Sequence, residues 1–388
     1  MRAKVLARAR ALSVGVGLAL AAVLSGCTAP SSSSVTVSGR TLTVYASAGR
    51  GGQPAEDVLD AERLALQQAA GKVGNYTVRL VVLRGEKVSD NARTAIKDPA
   101  AIAYLGEIAP GASAGSIGIT NAQDLLQVSP TDTALELTQP SPAVANSPTL
   151  YYEALKTYGR TFARVVPNTS LEAKALVAAV QARGVATLYL ADDGSDYSKA
   201  LRLAVSKAAA GASITVTGSP AAAGAVLYTG ISAASAAQLF DRTVSADPRA
   251  ALFASSALYD PSFAASLAPA AARQTEISAP GFAPGDLPSA AVQQFVAPFR
   301  AAYGHAPAGP AIFGYEAMAA VLGVLRDAGA AANNRTTVVH GFFAIKDRPS
   351  VLGTYSIDPA GDTNLGSFVI SRISGGRLVP FKSEPEQG

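Results

Sequence analysis

The sequence predicts an α/β fold built on parallel sheets, and three observations predict it. Short apolar runs of strand length alternate with capped, helix-length segments along most of the chain, a rhythm that marks repeated strand-helix-strand units. Several of those runs end in loops rich in small and turn-forming residues. Ala101 to Leu105 enters GEIAPGAS, Leu125 to Val128 enters SPTDT, and Ala186 to Ala191 enters ADDGSDY. Ligands of open parallel sheets bind at that carboxyl edge. A length of 388 residues leaves room for two domains, and 49% apolar with 15% charged residues fits a packed chain rather than a disordered one.

The N-terminus is read separately. A basic segment, an apolar run from Ala11 to Leu24 and the tetrad Leu24-Ser25-Gly26-Cys27 follow in order. The apolar run is short for a membrane span, which needs about 20 residues, so residues 1–26 read as an export signal. The tetrad resembles a bacterial lipobox, which implies lipidation of Cys27 and attachment to the outer face of the membrane. Cys27 is the single cysteine, so the mature fold has neither disulfide nor thiol nucleophile. Residues 27–40, with Ser31 to Ser34, read as a polar tether. The formal charge of +4 belongs to the leader: Arg2, Lys4, Arg8 and Arg10 precede Cys27, leaving 28 basic residues against 28 acidic. No basic stripe remains that would mark a nucleic-acid partner.

Beyond the tether, Thr41 to Ser47 is a strand that stops at AGRGGQP, followed by a helix over Ala55 to Ala70 with Val58, Leu59, Ala61, Leu66 and Ala69 inward. Tyr76 to Leu83 is the next strand, and Ser89 caps a short helix ending before Pro99. After Ala101 to Leu105 a helix is expected from Ser113. The Pro-rich segment Gln139 to Pro148 reads as a surface connection near a lobe boundary. Then come strand Thr161 to Val166, helix Leu171 to Arg183 capped by Ser170, strand Ala186 to Ala191 and helix Ser198 to Ala210. Strands Ser213 to Thr217, Ala225 to Tyr228 and Ala251 to Ala254 follow, with a helix from Ala233 to Val244 among them. Helices Ser289 to Tyr303 and Phe313 to Ala328 precede final strands Phe368 to Ile373 and Arg377 to Phe381.

The chemistry concentrates between Ile102 and Thr133. The first loop there feeds the expected helix N-terminus, whose free N–H groups favour a carboxylate or phosphate. The second offers the hydroxyls of Thr131 and Thr133. A small anionic or zwitterionic solute suits both. Gly111-Ala-Ser113-Ala-Gly115 also matches the G-x-S-x-G elbow of hydrolases, which gives an alternative, a lipid-anchored serine hydrolase using Ser113. Only His305 and His340 could serve it as base, and in a chain this rich in Ala and Gly the match is cheap. Asp192, Asp193 and Asp196 form the one tight acidic cluster and lack a calcium-loop pattern, so no metal and no cofactor is expected. Gly49 to Gly52 is neither a dinucleotide fingerprint nor a Walker loop and reads as a turn at a cleft mouth.

The run Ser129-Pro-Thr-Asp-Thr-Ala-Leu-Glu-Leu-Thr138 resembles "SP-x-x-T-x-x-E-L-T" of the type I solute-binding proteins of ABC importers, the Leu/Ile/Val-binding family. FGYEAMAAVLGVLRDAG and DRPSVLGTYSIDPAGDT resemble that family's C-terminal region, with Ile357 in place of a usual Phe. The resemblance spans about Thr41 to Leu378. It implies two doubly wound lobes joined by a three-strand hinge: residues 41–148 and 278–367 in one, 149–277 and 368–388 in the other. It implies a non-enzymatic monomer that captures a small amino-acid-like or carboxylate solute and passes it to an ABC permease. A sensor without a transport role is the second alternative. Carried over by position, the ligand residues are Gln53, Pro110, Gly111, Ser113, Thr131, Thr133, Tyr197, Ile231 and Ala257. Three positions depart from the pattern. Pro110 stands where serine is common, Gln53 where a tyrosine is common, and Ala257 where an acid would pair with the ligand's ammonium. Asp260 or Glu316 would have to replace that acid, or the ligand lacks the ammonium.

Overall fold

The computed structural model describes residues 35–49, 52–153, 159–282 and 286–385. The leader, Cys27, Ser31 to Ser34, and Arg50 and Gly51 of the glycine turn lie outside the described residues. The chain forms two large sheets. In the first, β1 (Thr41–Ser47), β3 (Tyr76–Leu83), β4 (Ala101–Leu105), β5 (Leu126–Ser129) and β6 (Phe162–Arg164) run parallel in the order β3-β1-β4-β5-β6. The two-residue β2 (Lys72–Val73) adds an antiparallel edge. The parallel part of the second sheet runs β8-β7-β9-β10-β11. Its strands are β7 (Thr187–Ala191), β8 (Thr215–Thr217), β9 (Ala225–Tyr228), β10 (Ala251–Ala254) and β11 (Thr275–Pro280). A separate antiparallel hairpin, β12 (Arg348–Ser350) and β13 (Gly353–Tyr355), stands where the DRPSVLGTY motif lies. The last strands, β14 (Ser367–Ser374) and β15 (Arg377–Pro385), close the second sheet antiparallel on β11.

Both parallel sheets share one winding. The first strand of each, β1 or β7, sits between the second strand on one side and the third on the other. That reversal creates a crevice at the carboxyl ends of the two central strands. Strands buried on both faces read as continuous apolar runs, and β4, β9 and β10 are buried along their whole length. The chain passes between sheets three times: after β6, after β11, and just before β14. The architecture is thus the two-lobed α/β fold with three crossings. β6, which a boundary after residue 148 would assign to the second lobe, pairs with β5 in the first sheet. The chain leaves the first lobe only beyond Arg164.

Several local expectations need correction. No regular helix starts at Ser113; a 3₁₀ turn over Ala112–Gly115 and a five-residue helix, Ile117–Asn121, stand there instead. The small, glycine-bracketed sequence gives little propensity for anything longer. Asn168, not Ser170, caps the helix Thr169–Ala182, its side-chain oxygen accepting from the Ser170 N–H at 3.0 Å. The helix Val88–Lys97 starts one residue before Ser89, which therefore does not cap it. In the helix Gln53–Gln68, Leu64 and Ala65 are buried where Leu66 and Ala69 are only partly so.

Candidate functional site

The crevices of the two sheets face one another, and their loops line two adjoining cavities. The larger encloses about 510 Å³ and is lined by Pro110 and Gly111 from the loop after β4, by Ser195 to Tyr197 from the loop after β7, and by Ile231 and Ala257. Glu136 and Tyr151 also line it. The smaller, about 170 Å³, is lined by Pro54, Pro110, Thr131, Ala257 and Asp260 among others. Ala109, Pro110 and Ala257 belong to both. Across this pinch Gly111 adopts φ 79°, and a Cβ there would lie 3.1 Å from the Tyr197 Cβ. Glycine alone meets both demands without strain.

The first-lobe loop was expected to offer backbone N–H groups to an anionic ligand. Those groups are occupied from within. The Gly111 N–H donates to Asp132 Oδ1 at 2.6 Å and the Ser113 N–H to Oδ2 at 2.8 Å. The Ala134 N–H adds a third bond to Oδ1 at 3.1 Å. Asp132 is fully buried, and burial pushes its pKa up against the pull of these donors and of Arg164. An acid fixed by the fold loses no translational freedom on binding, so it outcompetes a solute for this receptor. The hydroxyls are also committed or hidden. Thr131 Oγ1 donates to the Ile108 carbonyl at 2.6 Å, and Ser113 Oγ accepts from the Glu107 N–H at 3.0 Å. Thr133 Oγ1 is buried, facing the Tyr197 hydroxyl, and no described residue hydrogen-bonds it.

The loop carrying Asp132 is clamped from behind. Arg164, fully buried, donates from Nε to Asp362 Oδ1 at 2.7 Å and from Nη1 to the carbonyls of Asp132 and Ala134 at 3.0 and 2.7 Å. Its other amino group donates to Thr138 Oγ1, which in turn donates to Asp362. Despite the cost of burial, the Arg164 guanidinium and these donors hold the Asp362 carboxyl below its usual range.

On the second lobe, Asp193 ties two loops together. Its carboxylate accepts from the Ser195 N–H and hydroxyl and from the N–H groups of Ile231 and Ser232. Burial opposes its ionisation, yet these donors bring its pKa down to about 2. Asp192 pairs with Arg202 at 3.2 Å and Asp196 with Lys199 at 3.9 Å, and no metal-holding group of acids or histidines exists among the described residues. Tyr197, almost wholly buried, lines the larger cavity and donates from its hydroxyl to Glu172 at 3.3 Å.

Of the residues expected at the ligand, Pro110, Gly111, Tyr197, Ile231 and Ala257 line the larger cavity and Thr131 the smaller. Ser113 and Thr133 sit behind the loop surface, and Gln53 turns back along its own helix to donate to Asp57 at 2.6 Å. Of the two acids considered as substitutes at Ala257, Glu316 is bound by Arg348 and Tyr355 at 2.8 and 2.9 Å inside the first lobe. Asp260 lines the smaller cavity and caps the helix Pro261–Ser266. Ser113 is fully buried. His305 stands 3.8 Å from Asp57, and His340 lies on the helix Arg335–Phe343; neither is a hydrogen-bond partner of Ser113 among the described residues.

Sequence reasoning passed over Asp132, Glu136 and Tyr151. Glu136 is 1% exposed, lines the larger cavity, and its Oε2 has no hydrogen-bond partner among the described residues. Burial pushes its pKa up to about 7, the charges of Asp132 and Asp196 adding to it, against its own backbone N–H and Arg164.

No protein-family model and no curated protein matches this chain. Solved structures do. A leucine-binding protein, LivK, from Thermotoga maritima shares 18% identity with a TM-score of 0.72, covering 88% of this chain and 98% of that one. The branched-chain amino acid transporter substrate-binding protein LivJ of Streptococcus pneumoniae, in complex with isoleucine, shares 15% with a TM-score of 0.68, covering 89% and 99%. An ABC-transporter solute-binding protein from R. palustris, in complex with benzoate, shares 17% with a TM-score of 0.67, covering 88% and 96%. The fold is therefore that of the type I periplasmic binding proteins, and its structural neighbours are substrate-binding components of ABC transporters.

Proposed function

We propose that this protein captures a small polar solute between its lobes outside the cytoplasm and delivers it to an ABC permease in the membrane. The observation that carries this reading is the larger cavity: the switch-point loops of both sheets converge on one space of about 510 Å³, within the range of small-molecule sites. Contacts from both lobes favour a closed form by differential affinity, the basis of hinge closure. Cys27 anchors the chain through lipid, and the protein acts as a monomer without catalysis. The neighbours holding isoleucine and benzoate support a solute of that size. Mass spectrometry of solute released from gently unfolded protein, with X-ray scattering before and after re-addition, tests the reading. A released small molecule that compacts the protein is expected. A protein that carries no solute and compacts with none of a broad metabolite panel refutes it.

A further inference from the structure

The larger cavity is acidic and aromatic, and its anion receptor is already filled. Glu136 and Asp196 line it together with Tyr151 and Tyr197, and Asp132 lies directly behind Gly111. Neither cavity lining includes a lysine, arginine or histidine among the described residues. Among the described residues, Arg164, whose charge acts on Glu136, is spent on Asp362, Thr138 and two carbonyls, and Lys199 approaches Asp196 from its own helix. Glu136 Oε2 is the feature that calls for a partner. A carboxylate oxygen buried without a donor is costly. Among the described residues none hydrogen-bonds this oxygen, and the carboxyl has only its own backbone N–H as a donor, whereas three N–H donors serve Asp132 nearby.

We infer that the solute is a small organic ammonium without a carboxylate, its cationic nitrogen held by Glu136 with Asp196 at the rim and the rings of Tyr151 and Tyr197 flanking it. The inference rests on the proposed solute capture and names its substrate class. A carboxylate-bearing solute meets two acids in this space, Glu136 and Asp196, with Asp132 buried behind Gly111, and finds the donors of Gly111 and Ser113 occupied. An ammonium instead satisfies the orphaned oxygen, and a tyrosine face attracts a cation within about 6 Å of its ring centre. Burial keeps Glu136 protonated to about pH 7 in the empty cleft, so an incoming cation expels that proton.

Matched probes separate charge from shape. Leucine, 3-methylbutylamine and 4-methylpentanoate share one branched chain, and benzylamine and benzoate share one ring. Titration calorimetry of the full mature protein at pH 6 is expected to show the two amines binding with proton release. The release is read from the dependence of the heat on buffer ionisation enthalpy. Glu136→Gln is expected to weaken the amines about tenfold or more and abolish the proton release. Asp196→Asn, on an exposed side chain, is expected to weaken them less. Preference for benzoate, 4-methylpentanoate or leucine overturns the charge assignment while leaving solute capture standing. Absence of amine binding at millimolar concentration overturns it too. If scattering also detects no compaction with any probe or with the released solute, solute capture itself fails. Amine binding unchanged in Glu136→Gln, with proton release retained, removes the site from this cavity.

Discussion

Asp132→Ala tests the internally filled anion receptor. The substitution strips an acceptor from the buried N–H groups of Gly111, Ser113 and Ala134. A buried donor left unpaired costs about 1–3 kcal/mol. Two effects reduce the sum: the burial that raises the Asp132 pKa is relieved, and water enters the space the carboxylate leaves. A net loss of about 2–4 kcal/mol remains, within the range for breaking a buried hydrogen-bond network. The melting temperature is expected to fall by several degrees. The second half of the test is rescue. With Asp132 gone, the loop becomes a receptor for an external carboxylate, and binding to the folded state at a hundred times Kd restores about 2.7 kcal/mol. Thermal melts in acetate, in benzoate and in chloride at equal ionic strength measure it. Acetate or benzoate should stabilise Asp132→Ala and leave the parent protein unchanged. A variant as stable as the parent, or one that responds to acetate no more than to chloride, refutes the reasoning.

Four further outcomes are expected. Arg164→Ala leaves Asp362 buried without its cation and should cost about 3–5 kcal/mol by chemical denaturation. The stability of the solute-free protein should fall as pH rises from about 4.5 to about 7, because folded Glu136, like buried Glu62 and Glu107, holds its proton over that window and the unfolded chain does not. Glu136→Gln should make that slope shallower between melts at pH 5 and pH 8, leaving the share of Glu62 and Glu107, whereas below pH 4 the depressed Asp362 reverses the sign and acid destabilises. Gly111→Ala should strain a positive φ and press on Tyr197, weakening solute binding and giving a larger radius of gyration in scattering. Cys27→Ala should release the protein from membranes or block its processing, read by fractionation and the mass of the mature N-terminus.

Much of the fold is legible because its central strands are buried on both faces. β9 and β10 begin and end where the apolar runs do, Ala225–Tyr228 and Ala251–Ala254. Legibility fails where an element depends on partners rather than on its own side chains. The three-residue β6 is a strand of the first sheet only because β5 lies beside it. The helix expected at Ser113 reduces to single turns, and the N–H groups at its start are taken by Asp132, 21 residues from Gly111 in sequence, a partner that no local pattern names. The site divides in the same way. Pro110, Gly111, Tyr197, Ile231 and Ala257 could be placed near the cleft by strand-end position. Asp132 sat in plain view within SPTDT, but nothing local distinguishes a solvated loop acid from one turned inward. The clue available was that one loop held an acid and the other free donors at the same sheet edge.

The cleft and the crossings are fastened by one set of bonds. Arg164 ends β6, immediately before the first crossing, and Asp362 lies just before the third, 198 residues later. Between them Arg164 grips the carbonyls of Asp132 and Ala134 and the hydroxyl of Thr138, so the stretch holding Asp132 and Glu136 is bound at several points to both crossings. Gln139 and Asn168 add bonds to Asp362 at 2.6 and 3.3 Å, one on each side of the first crossing. A rotation of the lobes must pivot around this cluster or break it, and breaking it exposes a buried charge pair. In the proposed closure the cluster would be the fixed point, and the contacts that change would be those of the rim where Gly111 meets Tyr197. Glu136 belongs to the first lobe and shares the cavity with Tyr197 and Asp196 of the second, so a cation held as proposed would keep its first-lobe contact if the lobes parted and would lose the other two. That difference in contacts is the free energy a closing solute must supply.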